Sequence, residues 1–236
     1  MDPIGPRQRL RITFGRGDPI KYITHLDIMR LWERLLRRAR LPVSYSTAQP
    51  PRPRLALAAP LAVGVTSEGE LLDVFMDARL PLVQLSRRLA AECPPGITVA
   101  QVQEVGLGLP SLQSLVRFSE YRVTVPASLS AEMQQRIAAL LAATTLPRQR
   151  LREKETRSYD LRPQIDSLWI ANWDSAHGVL GMLLQTDERA AGRPDEVLSA
   201  LGAEAEAIHR VKLILAPPKD LEPQRASQPR RHRGAA

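Results

Sequence analysis

The residue pattern predicts an α+β chain made of two ferredoxin-like (βαββαβ) α/β sandwich modules in tandem, with antiparallel sheets and helices on one face. Three observations predict it. Apolar and polar residues alternate over 7–14 and again over 97–105, the two-residue period of a half-buried strand. Between these stretches, 24–40 and 82–93 carry apolar residues at helical spacing, as amphipathic helices do. After Gly106 to Pro110 punctuates the chain, the same element order returns without sequence identity between the halves. The predicted organisation is residues 1–110, residues 111–216, and a basic tail over 217–236 that reads as disordered.

In the first half, residues 7–14 set Arg9 and Arg11 on one strand face and Leu10, Ile12 and Phe14 on the other. Thr24-His25-Leu26-Asp27 has the form of a helix start, with Thr24 as cap and Asp27 in the first turn near the positive dipole end. The helix runs to about residue 40, where Leu41-Pro42 stops it. Leu26, Ile28, Met29, Leu31, Trp32, Leu35, Leu36 and Ala39 form a broad apolar face expected to be buried, while Arg30, Arg34, Arg37 and Arg38 follow i, i+4, i+7, i+8 and share an exposed stripe. Glu33 stands four residues before Arg37 and is expected to pair with it. A short strand over 43–45, an extended proline loop over 49–53, and strands over 55–59 and 70–77 follow. In the second half the pattern predicts a strand over 119–125 and a helix over 130–143 capped by Ser130. Strands around 151–159 and 179–185 come next, then a helix over 194–201 and a strand over 208–215.

Net charge is +8, from 33 basic and 25 acidic residues. Only four of the basic residues are lysines, so arginine dominates, as a GC-rich genome would also produce. Codon bias does not explain an excess of positive over negative charge, nor its placement: Arg7 to Arg54 holds 12 basic and 3 acidic residues. Such a surface favours a polyanion, because each neutralised phosphate releases counterions. Cys93 is the single cysteine, which excludes an internal disulfide and any multi-thiolate metal or iron–sulfur site on this chain. No metal or cofactor is therefore expected. No apolar run approaches the roughly 20 residues of a membrane span, and Met1 to Pro6 has no apolar signal core. The expectation is a cytoplasmic protein without membrane contact.

The candidate binding residues are Lys21, Arg30, Arg34, Arg37, Arg38, Tyr45, Arg52 and Arg54. Arg52 and Arg54 alternate with prolines on a stiff segment suited to phosphate contacts. Tyr45 either stacks a nucleobase or is a half-buried strand tyrosine. His25, at a helix N-terminus that disfavours its cation, either acts as general base on a ribose 2′-hydroxyl or simply fixes the helix start. In the first case Arg30 or Arg52 stabilises the phosphorane. The charged run over 148–157 leads into Asp160 and Arg162, and such faces are usually just solvated. There is no phosphate-binding glycine loop and no metalloprotease or triad motif. The sequence does not establish a reaction.

Tyr22-Ile23-Thr24-His25-Leu26-Asp27, Arg30, Arg37-Arg38-Ala39, Leu41-Pro42 and Tyr45-Ser46 together resemble the bacterial radical SAM-linked domain of unknown function (domain of unknown function 2344 family). The resemblance continues through Pro60-Leu61, Gly64, Ser67-Glu68 and Glu70, and Asp160-Leu161-Arg162-Pro163 with Ile165 is similar to that family's second signature. It covers roughly residues 8–215. It implies a separate radical SAM protein of the B12-binding type as partner more than it implies an activity. The loop after Tyr45-Ser46 departs from the family pattern. Ala48, Gln49 and Arg52 stand where a glycine, aromatic and histidine-containing loop is usual. Three readings follow: a non-catalytic accessory protein for RNA of the tRNA or rRNA class, a metal-independent endoribonuclease using His25, and a protein-only adaptor for the radical SAM partner.

Overall fold

A computed structural model of the protein describes residues 5–152, 155–187 and 191–216. Alternation in β1 (Gln8–Arg16) buries Leu10, Ile12 and Phe14 completely on one side. These side chains meet α1 (His25–Arg38) and α2 (Leu82–Glu92), which supply Ile28, Trp32, Leu35, Leu36, Leu85 and Leu89. Trp32 stands edge-on to Phe14 with ring centroids 4.9 Å apart. Each such fully buried apolar side chain contributes about 1.5–3 kcal/mol. β3 (Thr66–Met76) adds Leu72, Val74 and Met76 to the same core, and β4 (Ile97–Val105) closes the edge with Ile97. The stretch 43–45 makes only isolated bridges, Val43 to Met76 and Tyr45 to Pro53, because the proline loop turns the chain away from the sheet. Only β2 (Leu55–Leu57) pairs beside β3 there.

α3 (Leu112–Leu115) opens the second half and leads into β5 (Val116–Pro126). α4 (Ser130–Ala142) and α5 (Pro194–Leu201) cover one face of β5, β8 (Ile165–Trp173), β9 (His177–Gln185) and β10 (Ala207–Leu215). Ser130 is the first helical residue, and Leu129, in the cap position, makes no side-chain cap bond. The single strand expected around 151–159 is instead a hairpin, β6 (Pro147–Arg152) with β7 (Glu155–Asp160), forming its own two-stranded sheet. β8 has no counterpart in the sequence reading. Register shifts between Ile165 and Ser167 and between Ile170 and Asn172 break its two-residue period, as bulges do.

The main sheet is one continuous eight-stranded surface rather than two separate sheets. Its order is β4-β1-β3-β10-β5-β9-β8, with β2 also paired to β3. Each half runs last, first, third, second: β4-β1-β3-β2 and β10-β5-β9-β8. The pairs are antiparallel except where the halves join, and there β10 runs parallel to β3 (His209 opposite Thr66, Arg210 opposite Ser67). β2 occupies only Leu72 to Val74 of β3, leaving the start of β3 open for β10. Gly69 permits the approach, since a β-carbon there would lie 2.3 Å from the Val211 carbonyl oxygen. The fold is thus mixed α/β, with a large, mostly antiparallel sheet. Among the described residues no helix is long and apolar enough to cross a membrane, and the tail expected to be disordered lies outside them.

Candidate functional site

The start of α1 is fixed locally. The Thr24 hydroxyl oxygen accepts a bond from the Asp27 N–H (3.2 Å), and Asp27 Oδ2 accepts from the Thr24 hydroxyl (2.7 Å) and backbone N–H (3.4 Å). These bonds, with Arg30 and Arg34 nearby, hold the Asp27 carboxyl below its ordinary pKa. Asp27 also pairs with Arg30 at 3.6 Å. Lys21 pairs with Asp18 at 2.9 Å. Arg34, Arg37 and Arg38 are exposed along the outer side of α1. The pair expected between Glu33 and Arg37 does not form, so Arg37 has no ion-pair partner within 4 Å among the described residues. Arg38 reaches across to α2 instead, donating to the Glu92 carbonyl (2.7 Å) and meeting its carboxylate at 3.1 Å.

The loop that follows lies elsewhere. Tyr45 is 51% exposed, and Arg52 N–H donates to the Ser46 hydroxyl at 3.1 Å. The Arg54 guanidinium sits 4.8 Å from the centre of the Phe75 ring, which Arg9 also contacts at 5.1 Å. Phe75 alternates with Val74 and Met76, which face the helices, so Arg54 lies on the opposite face of the sheet from the α1 stripe. His25 is half-buried at the other end of β3. Burial first, then the Arg16 charge, lower its pKa, while Glu70 opposes the shift, leaving a neutral imidazole at pH 7. Glu70 and Phe75 are five residues apart on β3, roughly 17 Å. The structure therefore does not bring His25 and the Arg52 loop together.

Three of the twelve basic residues between Arg7 and Arg54 leave the surface altogether. Arg9 Nη2 and Arg11 Nε donate to Asp73 at 2.7 and 2.8 Å, and Arg9 also donates to the carbonyls of Leu109 (2.6 Å) and Pro110 (2.8 Å). The expected arginine-bearing strand face is thus buried, with one carboxylate on β3 pairing with both side chains and backbone carbonyls taking further donors of Arg9. Arg16 is 2% exposed and donates to the carbonyls of Ile20 (3.4 Å) and Ile23 (3.0 Å). Its Nε has no partner, and burial lowers its pKa.

Beside Arg16 lies Arg210, 1% exposed, which sequence reasoning did not single out. Its guanidinium pairs with both oxygens of Glu70 and donates to the Pro60 carbonyl at 2.9 Å. Burial alone would lower the Arg210 pKa, but the Glu70 charge and hydrogen bonds outweigh it and raise it. The available signal was an arginine inside the apolar run of 207–215. Arg210 and Tyr121 also floor a cavity of about 490 Å³ walled by Leu61, Val63, Pro194 and Ile208. Of the first signature, His25 and the Ile23 and Pro60 carbonyls lie around the Arg16, Glu70 and Arg210 group, where the two halves of the sheet meet, whereas Asp27, Arg30, Arg38 and Tyr45 have other partners or lie elsewhere. Asp160 and Arg162 instead bind backbone. Asp160 accepts from Leu146 N–H (2.7 Å) and Arg162 N–H (3.0 Å). Arg162 donates to the carbonyls of Leu141 (2.9 Å) and Ile165 (2.8 Å), tying the end of α4 to β8. Among the described residues no group of three or more His, Cys, Asp or Glu gathers to hold a metal.

No curated protein matches the chain. Its path is similar to a solved Cbf5–Nop10–Gar1 complex at TM-score 0.46 and 9% identity, covering 86% of this chain and 48% of that one. An archaeal box H/ACA sRNP Nop10–Cbf5 complex matches at TM-score 0.44 and 10% identity, covering 87% and 48%. The chain spans about half the length of both. An unknown protein from Galdieria sulphuraria matches at TM-score 0.26 and 13% identity, covering 89% of this chain and 99% of that one. The family model described as "Uncharacterized protein conserved in bacteria (DUF2344)" matches residues 9–194, and the chain belongs to that family.

Proposed function

We propose that the protein is a non-catalytic RNA-binding accessory protein, acting on RNA of the tRNA or rRNA class with a separate radical SAM enzyme of the B12-binding type. In this reading the halves 1–110 and 111–216 are two ferredoxin-like modules joined edge to edge through β3 and β10. One observation carries it. The outer layer formed by α1 and α2 presents Arg34, Arg37, Arg40, Arg87 and Arg88, none with a carboxylate within 4 Å among the described residues. Uncompensated guanidiniums on adjacent helices suit a phosphate backbone. The radical SAM partner rests on the sequence resemblance alone.

A mobility-shift titration with structured RNA tests the reading. Affinity falls steeply between ~50 and ~200 mM salt, and replacing Arg34 and Arg37 by Ala makes the log–log salt slope shallower by about two. Absence of binding to any RNA at ~50 mM salt sinks the proposal. Co-purification of a protein partner that survives nuclease treatment, with no RNA affinity, favours the adaptor reading instead.

A second reading, a metal-independent endoribonuclease, is favoured by the neutral, half-buried His25 beside Glu70 and Arg16. Under it, His25→Gln abolishes cleavage and spares binding. Unchanged cleavage in that variant removes His25 from the chemistry.

A further inference from the structure

We propose that Arg38, Arg40 and Arg88 form a phosphate pocket at the carboxyl end of α1, and that its ligand is the phosphodiester backbone of RNA. The inference rests on the RNA reading above and deepens it by assigning Arg38, Arg40 and Arg88 to one phosphate-binding depression.

α1 ends in a paired hydrogen-bond pattern. Arg40 N–H donates to the Arg37 carbonyl at 3.0 Å, and Leu41 N–H reaches back to the Leu36 carbonyl at 3.2 Å. This closure sends the chain inward, and Leu41 is buried. It requires residue 40 to take left-handed backbone, and Arg40 has φ +52, the only positive value among the described non-glycine residues. Glycine is the usual occupant of this position because a β-carbon crowds the following carbonyl. The same chain uses glycine in the corresponding turn after α5, where Gly202 has φ +66. An arginine at residue 40 is therefore a local cost with no local return.

Its return lies in the side chain. Arg40 lines a depression of about 340 Å³ together with Arg38, Ala39, Arg88, Ala91 and Glu92. Glu92 is the one carboxylate there, and it is engaged by Arg38. Arg40 and Arg88 keep no carboxylate within 4 Å among the described residues, so the pocket carries excess positive charge from two helices. Attraction of cations to helix carbonyls explains basic residues in the last turn, where Arg37 and Arg38 already stand. It does not explain a strained arginine beyond the Ala39 cap. Backbone strain retained at such a point marks a site rather than a support.

Arg40→Gly separates the two roles. If Arg40 serves a ligand, the variant gains stability while losing affinity: Tm rises by about 2–4 °C, and the log–log salt slope for structured RNA becomes shallower by about one. Arg88→Ala, which relieves no strain, weakens binding with Tm unchanged. The pocket is overturned if Arg40→Gly lowers Tm, or if both variants bind RNA as tightly as the wild type while Arg34→Ala and Arg37→Ala still weaken binding. That last outcome leaves the RNA reading standing. A wild-type protein that shifts no RNA at ~50 mM salt removes both at once.

Discussion

A guanidinium is costly to bury unless its charge and its donors are matched, and Arg210 meets that condition through Glu70 and the loop carbonyls of Ala59 and Pro60. Replacing it by Ala leaves Glu70, itself 3% exposed, as a buried charge without its main partner. The expected loss is about 3–5 kcal/mol, read as a fall in Tm of roughly 10 °C. Replacing both Arg210 and Glu70 by Leu recovers much of that loss; a double variant as unstable as the single one assigns the cost to the carbonyl bonds instead. His25, near the same carboxylate, links folding to pH. Its folded pKa lies below the ordinary ~6.5, so above that pH both folded and unfolded states are neutral and it contributes nothing. As pH falls through ~6.5 the unfolded chain takes up the proton first, and the folded state loses stability. His25→Gln therefore gains Tm relative to wild type at pH 5 compared with pH 7.5. Parallel loss in both proteins would exclude the linkage.

Among the elements, β2 and β10 divide one edge of β3 between them. β2 is only three residues long, and β10 takes the stretch it leaves open. The close approach at Gly69 is what a side chain cannot share: a β-carbon there would also lie 2.7 Å from the Lys212 Cα, backbone that cannot step aside. Gly69→Ala is expected to destabilise by about 1–3 kcal/mol, with amide hydrogen exchange accelerating over 66–70 and 207–212 more than in α1 and α2. Exchange that rises uniformly across the protein would show that the join has no separate stability.

Across the whole molecule, the continuous sheet separates two basic surfaces. The arginines of α1 and α2 lie on the helical side, and Arg54, stacked on Phe75, lies on the other. The interior charges do a different job. Arg9 and Arg11 converge on Asp73, and Arg210 is held by Glu70 with Arg16 beside it. The first set ties β1 to β3 within the first half and the second ties β3 to β10 at the join, a polar register that apolar contacts alone do not specify.

Local signals in the chain were sufficient for the capped start of α1, its apolar face, and the strand periods of β1 and β4. Contacts within about four residues govern all of these, and Thr24 and Asp27 illustrate it. The exposed arginines of α1 were legible for the same reason. Burial of Arg9 and Arg11 was not, because Asp73 is 64 and 62 residues away and the Pro110 carbonyl 101. β8 was hidden by its own bulges. The depression that Arg40 shares with Arg88 depends on how α1 ends against α2. The join through Gly69 and Arg210 depends on which strand edge was left uncovered. Periodicity reports which face of an element is apolar; which charges become interior is decided by partners that only the assembled sheet brings within reach.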